Sequence, residues 1–464
     1  MQGIIRALFV LGLVLSAPAA RAEAPPKPNI VFILSDDHRW DALGAAGNPA
    51  IHTPALDRLA ARGTYFRQAT THVSQCLPVR ATLLTGLTVH QHGAYSVQRQ
   101  EPATTKPDAF QTLPTVPGLL RDAGYHTLLV GKWHLSAEPW LSGFSEVGSW
   151  LPAGGADYKN PLLARGNSRE LAKTKGYTQQ IFADDAVDFV RSAAAKEKPF
   201  FLWLSFTAPH VPVTPNSPES KKLYAGKAAS ELPPPGFPKD LPTEEWRHYY
   251  EAVSDLDRQV GRVMSALEEA GLAESTAVVF LGDNGYMMGQ RGIGLKDTPG
   301  KVVPYEGSIR VPLIVSSPGG KNLAGPSDLP ASSLDLPVTL VELAGLRPPS
   351  TWHGRDLLGA LRRDPKNGLE DAFAEWADEE SSRWAAYRLV RTVRHKLILW
   401  KDPAKPGELY DLAADPAEEK NLFDRPEAQE VRRDLEARLR AWMERTQDPA
   451  RQWPSYSTIS IRKP

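Results

Sequence analysis

Cys76 is the single cysteine among 464 residues, and it opens the pentapeptide Cys76-Leu77-Pro78-Val79-Arg80 just before an apolar, helix-like run. With no second cysteine there is no internal disulfide, which leaves a buried filler, a reactive nucleophile or a modification site. Residue type alone favours the filler; the proline and arginine at fixed offsets favour chemistry. Acidic residues gather in two distant places, Asp36-Asp37 and Gly282-Asp283-Asn284-Gly285. Brought together, these carboxylates and the amide oxygen would suit a hard cation, Ca²⁺ or Mg²⁺, and the lack of a paired His or Cys ligand set argues against zinc. Kept apart, each is ordinary turn and cap chemistry. Basic groups recur in Gly131-Lys132-Trp133-His134, in Thr207-Ala208-Pro209-His210, and at Lys301 in the loop from Gly300 to Gly307. Lys132 and His134, two apart on an extended segment, project to the same side. Alone, His210 reads as a structural histidine and Lys301 as a solvated side chain. His90-Gln91-His92 has a metal-ligand spacing but no neighbouring carboxylate in the sequence, and Gly93 suggests a turn, so it reads as structural.

The elements that must carry these groups alternate between short apolar runs and helical patterns, as expected of strands buried on both faces between crossover helices. Residues 30–34 are the first such run and end at Ser35-Asp36-Asp37. A helix follows, with Thr53 as its cap, Pro54 in its first turn, Leu56, Leu59 and Ala60 inward, and Gly63 as its stop. Residues 126–130, 200–206 and 277–281 read as strands and 181–194 and 246–270 as helices, while 311–316 and 336–344 extend the alternation. The polar groups thus fall at predicted strand ends, where doubly wound α/β sheets bind ligands. Pro78 suits the first turn of a helix over 79–85 that Gly86 stops. Position 76 would then sit at a helix start, where free N–H groups and the positive dipole end favour an anion. The fold class is α/β, doubly wound, over residues 27–350, with a smaller C-terminal domain over 351–464. In the latter, residues 427–445 read as an amphipathic surface helix with Val431, Leu435, Leu439 and Trp442 inward.

Lys plus Arg equals Asp plus Glu, 54 against 54, so no global field points to nucleic acid or an anionic membrane surface. Particular basic side chains must draw any anionic ligand. Arg6, an apolar stretch and a small-residue zone ending at Ala22 make residues 1–22 a cleaved signal peptide and predict a periplasmic or secreted protein. That stretch is shorter than the roughly 20 residues a membrane span needs, and no cysteine near the cleavage site is available for a lipid. Proline is frequent, 41 residues, and clusters between 211 and 242, where Pro233-Pro234-Pro235 excludes regular structure; this reads as a long surface insertion.

In their order along the chain these motifs resemble a type I, formylglycine-dependent sulfatase of the alkaline phosphatase superfamily. Cys76-Leu77-Pro78-Val79-Arg80 is similar to the C-x-P-x-R signal read by a formylglycine-generating or equivalent maturation enzyme, which converts the cysteine to an aldehyde. The likeness continues through Gly300-Lys301, Glu306-Gly307-Ser308-Ile309-Arg310-Val311-Pro312 and Asp335-Leu336-Pro337-Val338-Thr339 to Glu408-Leu409-Tyr410-Asp411-Leu412. It implies an alkaline-phosphatase-like, mostly parallel mixed sheet with helices on both faces, and a small C-terminal domain with a short antiparallel sheet and a closing helix. It implies that Asp36, Asp37, Asp283 and Asn284 hold one divalent cation together with the modified Cys76, Ca²⁺ being preferred over Mg²⁺. Arg80 would brace the hydrated aldehyde and Lys132 would contact both hydrate and sulfate. His134 would remove the hydrate's second proton, His210 would protonate the leaving alcohol, and Lys301 would clamp a sulfate oxygen. The expected reaction is hydrolysis of a sulfuric ester on a sugar or small alcohol, with neither nucleic acid nor membrane as partner. Two readings compete: a phosphonate monoester or phosphodiester hydrolase on the same scaffold, and a non-catalytic binder of sulfated glycans in which Cys76 stays a thiol. Specificity would come from rim loops, among them residues 98–112 and the proline-rich insertion.

Overall fold

The computed structural model describes residues 27–193, 198–234, 237, 244–294, 299–320, 325–363, 369–378, 384–405 and 407–454. The expected leader, residues 1–22, lies outside them. One sheet holds ten strands: β1 (Asn29–Ser35), β2 (Thr64–Thr70), β3 (His126–Lys132), β4 (Glu146–Leu151), β5 (Leu162–Arg165), β6 (Ala172–Lys173), β7 (Phe200–Ser205), β8 (Thr276–Gly282), β9 (Leu313–Ser316) and β10 (Gly325–Ser332). Their spatial order is β10-β2-β9-β8-β1-β7-β3-β4-β5-β6. The central run β8-β1-β7-β3-β4 is parallel throughout, and β9 and β5 join it antiparallel on either side. A second sheet, β11 (Ala372–Trp376), β12 (Tyr387–Arg391), β13 (His395–Trp400) and β14 (Glu408–Asp411), is an antiparallel meander. The helices are α1 (Pro54–Arg62), α2 (Cys76–Thr85), α3 (Val89–His92), α4 (Val116–Asp122), α5 (Thr178–Ala193), α6 (Pro218–Tyr224), α7 (Glu244–Glu269), α8 (Glu306–Ile309), α9 (Asp335–Leu343), α10 (Leu357–Arg363) and α11 (Gln429–Arg445). None of the described helices is long and apolar enough to cross a membrane.

Alternate residues of the central strands enter different cores, which explains why the strands are apolar on both faces. Ile30, Phe32 and Leu34 of β1 pack with side chains of α2, α4 and α9, whereas Val31 and Ile33 pack with α1, α5 and α7. All five are fully buried, and each such side chain is worth about 1.5–3 kcal/mol relative to exposure. β1 therefore belongs at the sheet's centre, and the turn that follows it rests on a rigid strand.

Two local expectations are corrected. Thr53 does not cap α1: its hydroxyl accepts the Gly44 N–H at 2.8 Å and donates to Asp57 at 3.2 Å. Asp257, brought by α7, takes the free N–H groups of Ala55 (3.0 Å) and Leu56 (2.8 Å) instead, a cap that local sequence cannot reveal. The proline-rich insertion also contains regular structure. Within it α6 is capped by Ser217, and the Asn216 and Ser217 side chains bond Glu251 (3.2 Å) and Asp255 (2.8 Å) of α7. This part of the insertion is fastened to the α7 helix; residues 235, 236 and 238–243 lie outside the described residues.

The two sheets share one core. Trp376, Tyr387, Ile398, Trp400 and Tyr410 of the small sheet lie in the same apolar cluster as Ile30 and Phe32. α11 closes the opposite face with Leu435, Leu439 and Trp442 buried, Val431 half-buried, and Trp442 stacked on Phe373 at 4.5 Å. Beside this junction Glu375 of β11 accepts from His90 (Nδ1, 2.9 Å) and His72 (Nε2, 3.2 Å). Arg388 pairs with both Glu375 (3.2 Å) and Asp448 (2.5 Å). The carboxylate missing beside His90 in the sequence thus comes from another element, and a guanidinium already supplies its cationic partner.

Candidate active site

Register brings the dispersed polar groups to one edge. Ser35 is level with Gly282, Leu34 with Ser205, and Ser205 with Gly131. The segments leaving these parallel strands, Asp36-Asp37, Asp283-Asn284, Thr207 to His210 and Lys132 to His134, therefore emerge side by side. The chain turns sharply there: Asp37 and His134 have left-handed φ values of 61° and 59°. Gly131, at φ 100°, lets β3 approach β7, since a Cβ would meet the Ser205 carbonyl oxygen at 1.9 Å. α2 faces the same edge. It begins at Cys76 itself rather than at Val79, takes Pro78 inside its first turn, buries all ten residues and ends at Gly86 (φ 68°).

Carboxylate oxygens of Asp36, Asp37 and Asp283 lie within 4.8 Å of one another. Asp283 Oδ1 accepts the Asn284 and Asp37 N–H groups at 2.7 and 3.1 Å, and Asn284 Nδ2 donates to Asp37 at 2.6 Å. Burial and the neighbouring Asp36 push Asp283 up to about 6 against the pull of Arg80. Asp36 Oδ1 and Asn284 Oδ1 are buried with no hydrogen-bond partner. Orphaned buried oxygens are costly, and hard oxygen donors among mutually repelling carboxylates are what a divalent cation satisfies. These residues fit such an ion.

The basic groups converge on the same place. Lys132 bonds Asp36 Oδ2, and both are wholly buried. Arg80 reaches Asp283 Oδ2 through Nε (3.2 Å) and Nη2 (2.9 Å), and through Nη1 the Lys132 carbonyl and Ser205 hydroxyl, each at 2.7 Å. Lys301 Nζ lies 2.9 Å from Asp37 Oδ1 and 3.6 Å from Cys76 Sγ. Burial pushes the Cys76 thiol up, but Lys132, Lys301 and His134 outweigh it and hold it well below the ordinary thiol value. Burial holds His134 below its ordinary value, Lys132 and Arg80 adding to the effect and Cys76 opposing it; its Nδ1 is buried without a partner. His210 donates Nδ1–H to the Val211 carbonyl at 2.5 Å, leaving Nε2 3.7 Å from Asp37. Burial and Lys301 press its pKa down, yet Asp37 and Asp36 win and hold it above the ordinary value. The Lys301 and His210 side chains keep 15% and 20% exposure while Lys132, Arg80 and the acids keep 0–1%. The mouth of the site is therefore on their side.

Several further residues support the site. The Tyr249 hydroxyl, from α7, donates to the Asp37 carbonyl at 2.6 Å and accepts the Arg39 N–H at 2.9 Å, fixing the left-handed turn. Arg39 chelates Asp41 and reaches the Tyr286 carbonyl at 2.8 Å. His38, pushed down to about 4 by burial, is neutral: Nε2–H donates to the Ala42 carbonyl and Nδ1 accepts from Ser35. Tyr158 donates to the His210 carbonyl at 2.9 Å.

The sulfatase family model matches residues 28–346. The chain belongs to the sulfatase family. The model of the C-terminal part of N-sulphoglucosamine sulphohydrolase matches residues 299–445. N-acetylgalactosamine-6-sulfatase of Canis lupus familiaris is 32% identical over 387 residues, covering 75% of this chain and 69% of its own. A Bacteroides fragilis structure solved as a candidate sulfatase superposes with a TM-score of 0.80 at 24% identity, covering 94% of this chain and 99% of its own. Phosphonate monoester hydrolase of Agrobacterium radiobacter superposes with a TM-score of 0.70 at 22% identity, covering 90% and 96%; both are likenesses of fold. This type I sulfatase of the alkaline-phosphatase-like superfamily is accordingly an enzyme of sulfate-ester hydrolysis, and the non-catalytic binder reading falls away.

Proposed function

We propose that the enzyme uses a formylglycine made from Cys76 and one divalent cation, Ca²⁺ ahead of Mg²⁺, to hydrolyse a sulfuric ester on a sugar or small alcohol. The observation that carries this reading is the Cys76 sulfur itself, at the start of a buried helix, beside Lys301 and near an acidic group with unpartnered oxygens. When present, the hydrated aldehyde supplies a hydroxyl nucleophile, and the cation, held by Asp36, Asp37, Asp283, Asn284 and position 76, offsets negative charge on the sulfate. Lys132 and Lys301 add positive charge where the transferring group must sit. Arg80 holds Asp283 and the Lys132 backbone in place and braces position 76 from behind. His210 gives the Nε2 proton to the leaving alcohol, for its Nδ1 is committed to Val211. His134, kept neutral by burial, takes a proton from position 76. The N-acetylgalactosamine-6-sulfatase relative supports a sugar as the alcohol. The chain is exported to the periplasm or beyond, its residue 1–22 leader removed, and a maturation enzyme modifies Cys76.

The test is the mass of the peptide spanning residue 76 from protein made in a host with that maturation enzyme, alongside turnover of an aryl sulfate. A peptide lighter than the cysteine form, with turnover lost in Cys76→Ala, is expected. An intact thiol in fully active enzyme would sink the proposal. The phosphonate hydrolase likeness of fold motivates the second reading, and turnover of aryl sulfate, phosphonate monoester and phosphodiester side by side separates the two.

A further inference from the structure

A basic segment of this neutral chain lies outside both loops expected to set specificity. Residues 159–175 hold Lys159, Arg165, Arg169, Lys173 and Lys175 against Glu170 alone. They form the β5–β6 hairpin at the sheet edge, with Leu162 opposite Lys173 and a bridge from Lys159 to Tyr177 closing its base.

Both ends of this hairpin are tied to the histidine segments. At its base, Tyr158 donates to the His210 carbonyl at 2.9 Å, and the adjoining Gly154 lies so close to His134 that a Cβ would meet the ring at 2.6 Å. At its tip, Arg169 bonds Glu138 at 2.8 Å and the Ser136 carbonyl at 2.6 Å, in the segment that follows His134. Arg169 is thereby committed to structure. Arg165 is loosely paired, 3.5 Å from Asp185 with 76% of its side chain exposed. Lys159, Lys173 and Lys175 are exposed and have no carboxylate partner among the described residues.

Stability does not account for that arrangement, because unpaired like charges repel and a merely solubilising surface would intersperse signs. Leu162 and Leu171, exposed at 51% and 47%, add apolar surface to the same hairpin. Apolar area beside cations without carboxylate partners, of which Lys159 lies 5.6 Å from the centre of the Tyr177 ring, suits sugar rings that carry anionic substituents. A nucleic acid would meet the charge requirement but has no reason to adjoin a sulfate-ester site.

We propose that the β5–β6 hairpin docks the flanking sulfates of a polysulfated oligosaccharide while one of its esters occupies the site between His134 and His210. This rests on the sulfuric ester reading above. The test measures dextran sulfate affinity of the metal-loaded enzyme at two salt concentrations, for wild type, for Lys159→Gln/Lys173→Gln/Lys175→Gln, and for Lys420→Gln/Arg433→Gln as an exposed control far along the chain. Expected is an affinity loss of about tenfold and a shallower salt dependence in the triple variant alone, given the small worth of each exposed charge pair. Equal affinity of triple variant and wild type, an equal loss in the control, or duplex DNA bound as tightly as dextran sulfate would each overturn the proposal. Turnover of 4-nitrophenyl sulfate by wild type reports separately on the ester reading, so failure of one is distinguishable from failure of the other.

Discussion

His210 can act as an acid at one atom only, since its Nδ1–H is spent on the Val211 carbonyl. Loss of that acid matters most when the leaving alcohol is basic. His210→Ala is expected to lose about 10²- to 10⁴-fold in kcat on an alkyl or sugar sulfate and far less on 4-nitrophenyl sulfate, whose phenolate needs no proton; equal losses on both would remove His210 from that role. Tyr249 touches no substrate, yet it holds the carbonyl of Asp37. Tyr249→Phe should weaken Ca²⁺ binding by roughly 10- to 100-fold in a chelator competition, with the melting point of metal-free protein little changed. Legibility at this scale divides along sequence distance. Asp36, Asp37, Asp283 and Asn284 each follow an apolar run directly, so strand-end logic finds them. Tyr249 lies 212 positions from the carbonyl it supports, inside a helix whose pattern speaks only of burial.

Strands and helices were legible where burial on both faces left unbroken apolar runs, as in β1, β7 and β8. β2, with Arg67 and Gln68 half-buried, and the edge strands β5 and β6 lack such runs, which hid the basic hairpin. The small sheet and α3 meet through His90 and Glu375, and their junction is expected to respond to pH. Burial opposes charge on His90, but Glu375 and Asp448 outweigh burial and Arg388 and hold its pKa above the ordinary 6.5. Burial likewise opposes charge on Glu375, yet His90 and Arg388 hold it well below the ordinary 4.5. A raised histidine stabilises fully below the unfolded value and fades as pH climbs through the folded one; a depressed carboxylate stabilises above its unfolded value and fades as pH falls through the folded one. The stability gap between wild type and His90→Gln in urea unfolding is therefore expected to be widest between about pH 4.5 and 6.5, roughly 1.5–3 kcal/mol for a lost hydrogen bond to a charged group because Arg388 still pairs with Glu375, and to shrink toward alkaline pH. A gap that grows with pH would contradict the assignment.

For the molecule as a whole, three clustered carboxylates with orphaned oxygens nearby are expected to tie part of the stability to a bound cation. Calcium at about 100 times its Kd should add roughly 2.7 kcal/mol, so the melting point should climb with Ca²⁺ concentration and fall on chelation; a melting point indifferent to both would remove the ion from this site. The apolar cluster that begins at Ile30 is completed only by Tyr410, so the first strand made waits for one of the last. A nascent chain leaving the ribosome cannot seal this interior until nearly all of it has arrived. Cys76, 2% exposed once folded, stays reachable throughout that interval. Any enzyme that oxidises it has the time of synthesis and folding in which to work, and little afterwards.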